Sequence, residues 1–148
     1  MKIFAENKKA YFNYQILEKF NAGIVLTGNE VKSIKTRGLN LAGSYVVIKN
    51  NEVFWIGANI PPYQPNNAPL NYEPERSRKI LLKKSEIKYL IGKSKQKGLT
   101  LIPLRLYNRN GLIKLEFALA KGMRKVDKRE LIKKREIKKE IERNLKEN

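Results

Sequence analysis

The chain has 148 residues, with 32 Lys and Arg against 14 Asp and Glu, a formal net charge of +18, and neither Cys nor His. One domain with an appendage fits this length, and the missing thiols and imidazoles exclude disulfides, zinc fingers, cysteine nucleophiles and histidine bases. The excess charge indicates a polyanionic partner, and seven Tyr, five Phe and one Trp favour nucleic acid over a membrane surface.

The first predicted elements are a strand region and a short helix. Residues 11 to 26 are rich in aromatic and β-branched residues, which predicts one long strand or two short strands bent at residues 21 to 23. Thr27 and Glu30 have the spacing of a capping box, so a helix is predicted to begin there and to end at Gly38. Its inward residues are predicted to be Val31 and Ile34, and its outward residues Lys32, Lys35 and Arg37.

A hairpin and a long loop are predicted next. Residues 44 to 58 form two apolar runs separated by Asn50 and Asn51, which accept the positive φ angles of a tight turn. Residues 61 to 74 contain five prolines, a composition that no helix or central strand tolerates. This segment is therefore predicted to be a surface loop.

The remaining core elements are a strand, a helix and a second hairpin. Residues 79 to 82 are predicted to form a short buried strand, and Ser85 is expected to cap a helix that ends before Gly98. Apolar residues alternate with other residues between positions 102 and 119, on both sides of a turn at 108 to 111.

These elements predict a mainly β domain over residues 1 to 122. About six strands with two to three helices suit a small antiparallel barrel of the oligonucleotide-binding (OB) type, because a parallel sheet would need a crossover helix after nearly every strand. Trp55 lies between apolar neighbours in a predicted strand and is expected in the core.

Residues 123 to 148 are predicted to form a basic C-terminal tail. Residues 121 to 148 hold 12 Lys and Arg against 6 Asp and Glu. Ile137, Ile141 and Leu145 recur every four residues and make one narrow apolar stripe. Because so little apolar surface stabilises a helix only weakly, the tail is expected to be disordered alone and helical when it meets a partner.

Several basic clusters could bind RNA. Arg76 and Arg78 favour function, because a guanidinium group both pairs with phosphate and stacks on bases. The lysines could equally form an ordinary solvated surface. Other candidate cationic residues on one face are Lys32, Lys35, Arg37, Lys79, Lys83, Lys84, Lys93, Lys95 and Lys97. Tyr63, Tyr72 and Phe12 could stack on unpaired bases or simply pack against the loop and core.

No catalytic motif, metal site or cofactor site is visible, so a binding protein is expected and not an enzyme. Glu30 is explained by its capping box alone, and Asp127 by its place at a helix start. Two alternatives remain: a ribosomal structural protein, and a nuclease or RNA-modifying enzyme that uses Glu30 or Asp127. The N-terminus lacks the apolar stretch of a signal peptide, and a cytoplasmic monomer without membrane contact is expected.

Six sequence blocks, in order along the chain, resemble the SsrA-binding protein family. They are NKKAYFNYQI at 7 to 16, AGIVLTGNEVKSI at 22 to 34, GLNLAGSYV at 38 to 46, ERSRKILL at 75 to 82, GLTLIPLRLY at 98 to 107 and AKGMRKVDKRELIKKRE at 120 to 136. The sequence departs from the family pattern at Phe12 and Tyr72, where that family usually has His.

The resemblance implies an OB-type barrel that binds the tRNA-like domain of transfer-messenger RNA (tmRNA) and delivers it to stalled ribosomes for trans-translation. The tail would become helical in the empty messenger channel, near the decoding centre. The implied RNA-binding residues are Glu30, Lys32, Asn40, Arg76, Arg78, Lys79, Lys121 and Lys125. The implied ribosome-binding residues of the tail are Asp127, Lys128, Arg129, Lys133, Lys134, Arg135 and Lys138.

Overall fold

The structure is a computed structural model that describes residues 1–123 and the backbone of 125–147, with the side chains of 129, 130 and 132–145 in the second range. This described part contains seven strands, four helices and one 3₁₀ turn. In order they are β1 (Lys2–Glu6), α1 (Lys8–Asn13), β2 (Tyr14–Ile24), α2 (Gly28–Arg37), β3 (Tyr45–Lys49), β4 (Glu52–Ile56), a 3₁₀ turn (Pro65–Asn67), β5 (Arg78–Leu81), α3 (Lys84–Ser94), β6 (Leu99–Arg109), β7 (Leu112–Gly122) and α4 (Lys125–Glu147).

The strands form one antiparallel sheet that closes on itself. Its order is β1-β6-β3-β4-β5-β2-β7, and β7 pairs again with β6. Six strands therefore make a ring, and β1 pairs with the C-terminal half of β6. The prediction of a mainly β antiparallel fold is confirmed, and the closed ring is consistent with an OB-like barrel.

Both predicted hairpins are present. Asn50 and Asn51 join β3 to β4 with φ angles of 52° and 62°, and Asn110 and Gly111 join β6 to β7 with φ angles of 52° and 79°. Two consecutive residues with positive φ match the right-handed twist of the flanking strands. The predicted loop between β4 and β5 is also confirmed, with only the 3₁₀ turn inside it.

The start of the chain differs from the prediction. β1 and α1 were not predicted, and residues 11 to 13 are helical although they were assigned to a strand. β2 is one continuous strand through residues 21 to 23, which agrees with the one-strand alternative, and its irregularity lies between Ile16 and Glu18. The reason is tertiary packing: α1 places Ala10 against a buried cluster on β6 and β7, which outweighs the strand preference of aromatic residues.

Two predicted details around β5 and α3 are wrong. Ser85 does not cap α3, because the helix begins at Lys84 and its N-cap residue is Lys83. The Lys83 backbone N–H donates to Glu86 Oε1 at 3.1 Å. β5 is buried on one face only, since Leu81 is 53% exposed while Ile80 is buried. The interior of the ring contains Trp55, as predicted, with its indole N–H donating to Ser44 Oγ at 3.0 Å.

Candidate nucleic-acid interface

A buried cluster of charged side chains joins α2 to β5. Glu30 and Arg78 have side chains only 1% and 0% exposed, and Arg76 is 33% exposed. Arg78 Nε donates to Glu30 Oε2 at 2.7 Å, and Arg76 Nη2 donates to Glu30 Oε1 at 2.6 Å. We refer to Glu30, Arg76 and Arg78 as the buried ion cluster. A buried carboxylate is tolerable because charged donors satisfy it.

The predicted capping box of α2 belongs to the same cluster. The Thr27 backbone N–H donates to Glu30 Oε1 at 2.8 Å, and the Glu30 N–H donates to Thr27 Oγ1 at 3.2 Å. The structural explanation of Glu30 as a capping residue is therefore confirmed. Its second carboxylate oxygen, however, binds an arginine that lies 48 residues away in the chain.

Arg78 also holds the proline-rich loop against the barrel. Its Nη1 donates to the carbonyl of Ala58 at 2.7 Å, and its Nη2 donates to the carbonyl of Pro74 at 2.8 Å. These carbonyls lie near the two ends of the loop. The guanidinium carbon is also 5.7 Å from the centre of the Trp55 ring. Arg78 therefore connects helix, strand, loop and core through one buried side chain.

The buried ion cluster should make folding sensitive to acid. Burial alone would raise the pKa of Glu30, but the hydrogen bonds from Arg76, Thr27 and Arg78 outweigh it and hold the pKa below its ordinary value of 4.5. As the pH falls, Glu30 takes up a proton in the unfolded chain at a higher pH than in the folded protein. The stabilisation by the Glu30 carboxylate is therefore fully present above pH 4.5 and is lost as the pH falls toward the folded-state pKa.

We expect the free energy of unfolding to fall steeply with acidification below pH 4.5, and to fall less steeply in Glu30→Gln. Urea unfolding between pH 6 and pH 3 measures both slopes. The same pH dependence in both proteins would show that Glu30 does not cause it.

A groove lined by lysines lies beside β5. It has a volume of about 570 Å³, and between its lysines the Leu81 side chain is 53% exposed. Its lining includes four lysines (Lys79, Lys83, Lys84 and Lys114), two glutamates (Glu52 and Glu86), Asn21 and Leu81, and we call it the lysine groove. Tyr107 Oη donates to Asn21 Oδ1 at 2.7 Å, which orients the Asn21 amide. The groove combines positive charge with an exposed apolar side chain.

The predicted RNA-binding residues occupy different environments. Glu30 and Arg78 are buried in the ion cluster with Arg76 beside them, so in this structure the first two present no surface to a partner. Lys79 is exposed in the lysine groove, 3.5 Å from Glu52. The others lie elsewhere on the surface: Lys32 on α2, Asn40 before β3 and Lys121 at the end of β7. The side chain of Lys125 lies outside the described residues.

The predicted ribosome-binding residues lie on α4. The side chains of Asp127 and Lys128 lie outside the described residues. Those that are described are exposed, namely Arg129, Lys133, Lys134, Arg135 and Lys138. Arg135 Nη2 donates to the carbonyl of Tyr11 on α1 at 3.4 Å. The apolar stripe of Ile137, Ile141 and Leu145 is also exposed, at 49%, 54% and 71%.

The aromatic candidates have different surroundings. Tyr72 Oη donates to the carbonyl of Ile60 at 2.8 Å, so this ring is tied to the loop. Tyr63 is partly buried, with Lys32 Nζ 5.8 Å from its ring centre, and Phe12 is 40% exposed. Their predicted stacking on bases stays a prediction.

The described residues also bear on two alternative roles. None of the helices in that part of the chain is long and apolar enough to cross a membrane. The described side chains also include no group of three or more acidic residues placed to hold a metal ion.

The prediction from sequence missed several residues of the lysine groove, among them Asn21, Leu81 and Lys114. Leu81 belongs to a continuous apolar run, which is typical of a fully buried strand and hides its outward orientation. Lys114 follows the second hairpin turn, 35 positions along the chain from Lys79. The signal that could have identified it was strand alternation, which places Lys114 on the face opposite to the buried Ile113 and Leu115.

Comparisons with known proteins agree with one another. Residues 4–147 match the family described as SmpB protein. An SsrA-binding protein of Thermosipho africanus (strain TCF52B) is 53% identical over 149 residues, covering 100% of this chain and 99% of the relative. An SsrA-binding protein of Trichodesmium erythraeum (strain IMS101) is 47% identical, covering 99% and 94%.

Solved structures give the same result. A chain from the structure "tmRNA-SmpB: a journey to the center of the bacterial ribosome" has a TM-score of 0.66 and 40% sequence identity, and the match covers 86% of this chain and 92% of that one. Sequence and fold therefore agree over nearly the whole length, and the chain belongs to the SmpB protein family.

Proposed function

We propose that this protein binds tmRNA through its barrel and acts with it on stalled ribosomes in trans-translation. Family membership supports the partner, since the relatives are SsrA-binding proteins and a similar chain occurs in a structure of tmRNA-SmpB in the bacterial ribosome. The observation that carries the proposal is the lysine groove, because its four lysines outnumber its two glutamates and lie beside an exposed apolar contact, Leu81, on one surface.

The groove suits RNA better than it suits a flat anionic surface. Its lysines can pair with phosphates, and Leu81 can pack against a ribose or a base. A folded RNA would be recognised mainly by shape and by backbone contacts. Arg78 and Glu30 then act indirectly, by holding α2 and the loop beside the groove-forming strand β5.

The proposal assigns a binding role without catalysis to the barrel of residues 1 to 122. The tail of residues 123 to 148 would make a second contact, with the ribosome. α4 presents cationic side chains at Arg129, Lys133 and Lys134, which suit rRNA phosphates. The cytoplasm, where ribosomes act, is the compartment that this role requires.

The decisive experiment combines RNA choice with salt dependence. We expect the protein to prefer tmRNA over an equal mass of bulk tRNA or an unrelated duplex in gel shifts at physiological salt. For the double variant Lys83→Ala/Lys114→Ala we expect weaker binding. The slope of log K against log salt should be smaller by about 0.7 to 0.9 for each phosphate that the variant no longer neutralises.

A matched control removes two charges outside the groove. Lys2→Ala/Lys8→Ala changes the net charge equally, at exposed positions of β1 and α1 that do not line the groove. If both double variants bind with the same slope, the groove is not the interface and only general charge attracts the RNA. Equal affinity of the unmodified protein for all three RNAs would contradict tmRNA as the partner and favour a ribosomal structural protein.

A further inference from the structure

The proline-rich loop, taken here as residues 61 to 75, has a charge opposite to that of the whole chain. It contains Glu73 and Glu75 and no Lys or Arg, whereas the chain has a formal net charge of +18. Both glutamates are exposed, and neither carboxylate forms an ion pair with the residues that the structure describes. Because carboxylates repel phosphates, this loop does not suit an RNA backbone.

Leu70 lies at the tip of this loop and is fully exposed. Its relative exposure is 109%, the highest among the large apolar residues of the described part. The Tyr72 N–H donates to the carbonyl of Pro69 at 3.0 Å, so Leu70 and Asn71 are the two central residues of a β-turn. A leucine in this position adds nothing to the stability of the core, but it contributes free energy when a partner covers it.

Three side chains on one face of α2 hold the first part of the loop. Asn29, Ser33 and Arg37 are spaced four residues apart, which places them on one side of the helix. Asn29 Oδ1 accepts from the backbone of residues 61 to 63, and Ser33 Oγ and Arg37 Nη1 donate to it. The three distances are 2.9 Å, 2.5 Å and 3.1 Å respectively.

The two ends of the loop are also joined to each other. The Ile60 N–H donates to the carbonyl of Pro74 at 2.9 Å, and Tyr72 Oη donates to the carbonyl of Ile60 at 2.8 Å. The five prolines of the loop restrict φ, so little conformational entropy remains to be lost on binding. Single exposed leucines are common on protein surfaces, but Leu70 differs from them because a preorganised turn presents it.

We propose that the tip of this loop docks on a basic protein surface of the ribosome, with Leu70 in an apolar pocket and Glu73 and Glu75 beside cations of that surface. Charge complementarity favours this partner, because carboxylates attract a cationic protein and repel RNA phosphates. An apolar centre with a polar rim is also the common arrangement of protein–protein interfaces. The inference rests on the proposed function, since it places the partner on the ribosome, but it assigns the loop to protein and not to RNA.

A photo-reactive side chain at the tip identifies what the loop touches. The full-length Leu70→benzoylphenylalanine protein is bound to tmRNA and stalled ribosomes and irradiated, and cross-linked peptides and nucleotides are identified by mass spectrometry. We expect a cross-link to a ribosomal protein, near its Lys or Arg residues. A cross-link to RNA alone, or no cross-link from a complex that is bound, would overturn the proposal.

The two glutamates give a test in which the sign of the effect decides. Glu73→Gln/Glu75→Gln makes the protein more positive, and we nevertheless expect it to weaken binding of the tmRNA complex to stalled ribosomes about threefold or more, since two exposed ion pairs are lost. Affinity for tmRNA alone should not fall. If the loop faced rRNA, removing two negative charges would strengthen ribosome binding, so stronger or unchanged binding contradicts the inference.

Leu70→Ala tests the apolar contact. It should weaken ribosome binding about tenfold, the size expected when one leucine is no longer buried in an interface, and leave tmRNA affinity unchanged. Leu112→Ala is the matched control, at the start of β7 where the leucine is 62% exposed, and should change neither affinity. Equal ribosome affinity of the unmodified and Leu70→Ala proteins overturns this inference alone. Failure of the unmodified protein to bring tmRNA to stalled ribosomes overturns the proposed function as well.

Discussion

Replacing Glu30 with alanine is expected to lower the free energy of unfolding by about 3 to 5 kcal/mol, the cost of leaving a buried cation without its partner. Arg78 would remain fully buried with its Nε unpaired, and the capping interaction with the Thr27 N–H would be removed as well. The effect is large because the partner that remains cannot move into water without moving β5.

Urea unfolding of the purified protein measures this change, and Glu52→Ala is the matched control. Glu52 forms an ion pair with Lys79 at 3.5 Å, in which both side chains are about half exposed, so its removal should cost less than about 1 kcal/mol. Glu30→Gln should lie between the two, since an amide oxygen can still accept from one arginine. Equal destabilisation by Glu30→Ala and Glu52→Ala would contradict a structural role for the buried ion cluster.

Deleting residues 131 to 148 is expected to abolish ribosome rescue while changing tmRNA affinity by less than about threefold. The lysine groove lies entirely within residues 1 to 122, and the described side chains of α4 contribute nothing to its lining. The tail carries a separate array of exposed cations and the exposed stripe of Ile137, Ile141 and Leu145. Gel shifts measure affinity, and peptide tagging in a reconstituted stalled-translation reaction measures rescue.

A point substitution tests whether the tail must be helical. Ile137→Pro interrupts α4 at a cost of about 3 kcal/mol or more, whereas Ile137→Ala removes part of the apolar stripe and keeps the helix. We expect rescue to fall much further with proline than with alanine. A truncated protein that no longer binds tmRNA would contradict the division of roles between barrel and tail.

Local signals in the sequence were sufficient for the hairpins and for the start of α2. Asn50, Asn51, Asn110 and Gly111 predict turns because their preference for positive φ does not depend on distant residues. The same holds for Thr27 and Glu30, whose capping box forms within four consecutive residues.

Long-range contacts could not be predicted in this way. The ion pair between Glu30 and Arg78 depends on β5 lying beside α2, which no local pattern encodes. The sequence therefore indicated Arg78 as an RNA-binding residue, whereas the structure buries its side chain and pairs it with Glu30. The helix α1 also depends on distant residues, since Ala10 packs on Ile102 and Leu104.

The candidate site was predicted only in part for the same reason. Lys79 was identified as a basic residue of one cluster, but its neighbours in the groove include Lys114 from β7 and Asn21 from β2. Those residues meet because the ring closes, and the register that brings Gly23 opposite Lys114 is a property of the assembled sheet.

The length of α4 affects how the proposed contacts of the barrel and the tail combine. A straight helix of 23 residues extends about 35 Å, roughly the width of a small domain. Two contacts at opposite ends of such a chain can be made at once without steric overlap. If the barrel binds tmRNA and the tail binds the ribosome, as proposed above, the first contact holds the second near its partner and raises its effective concentration, so two individually weak contacts combine into a tighter attachment.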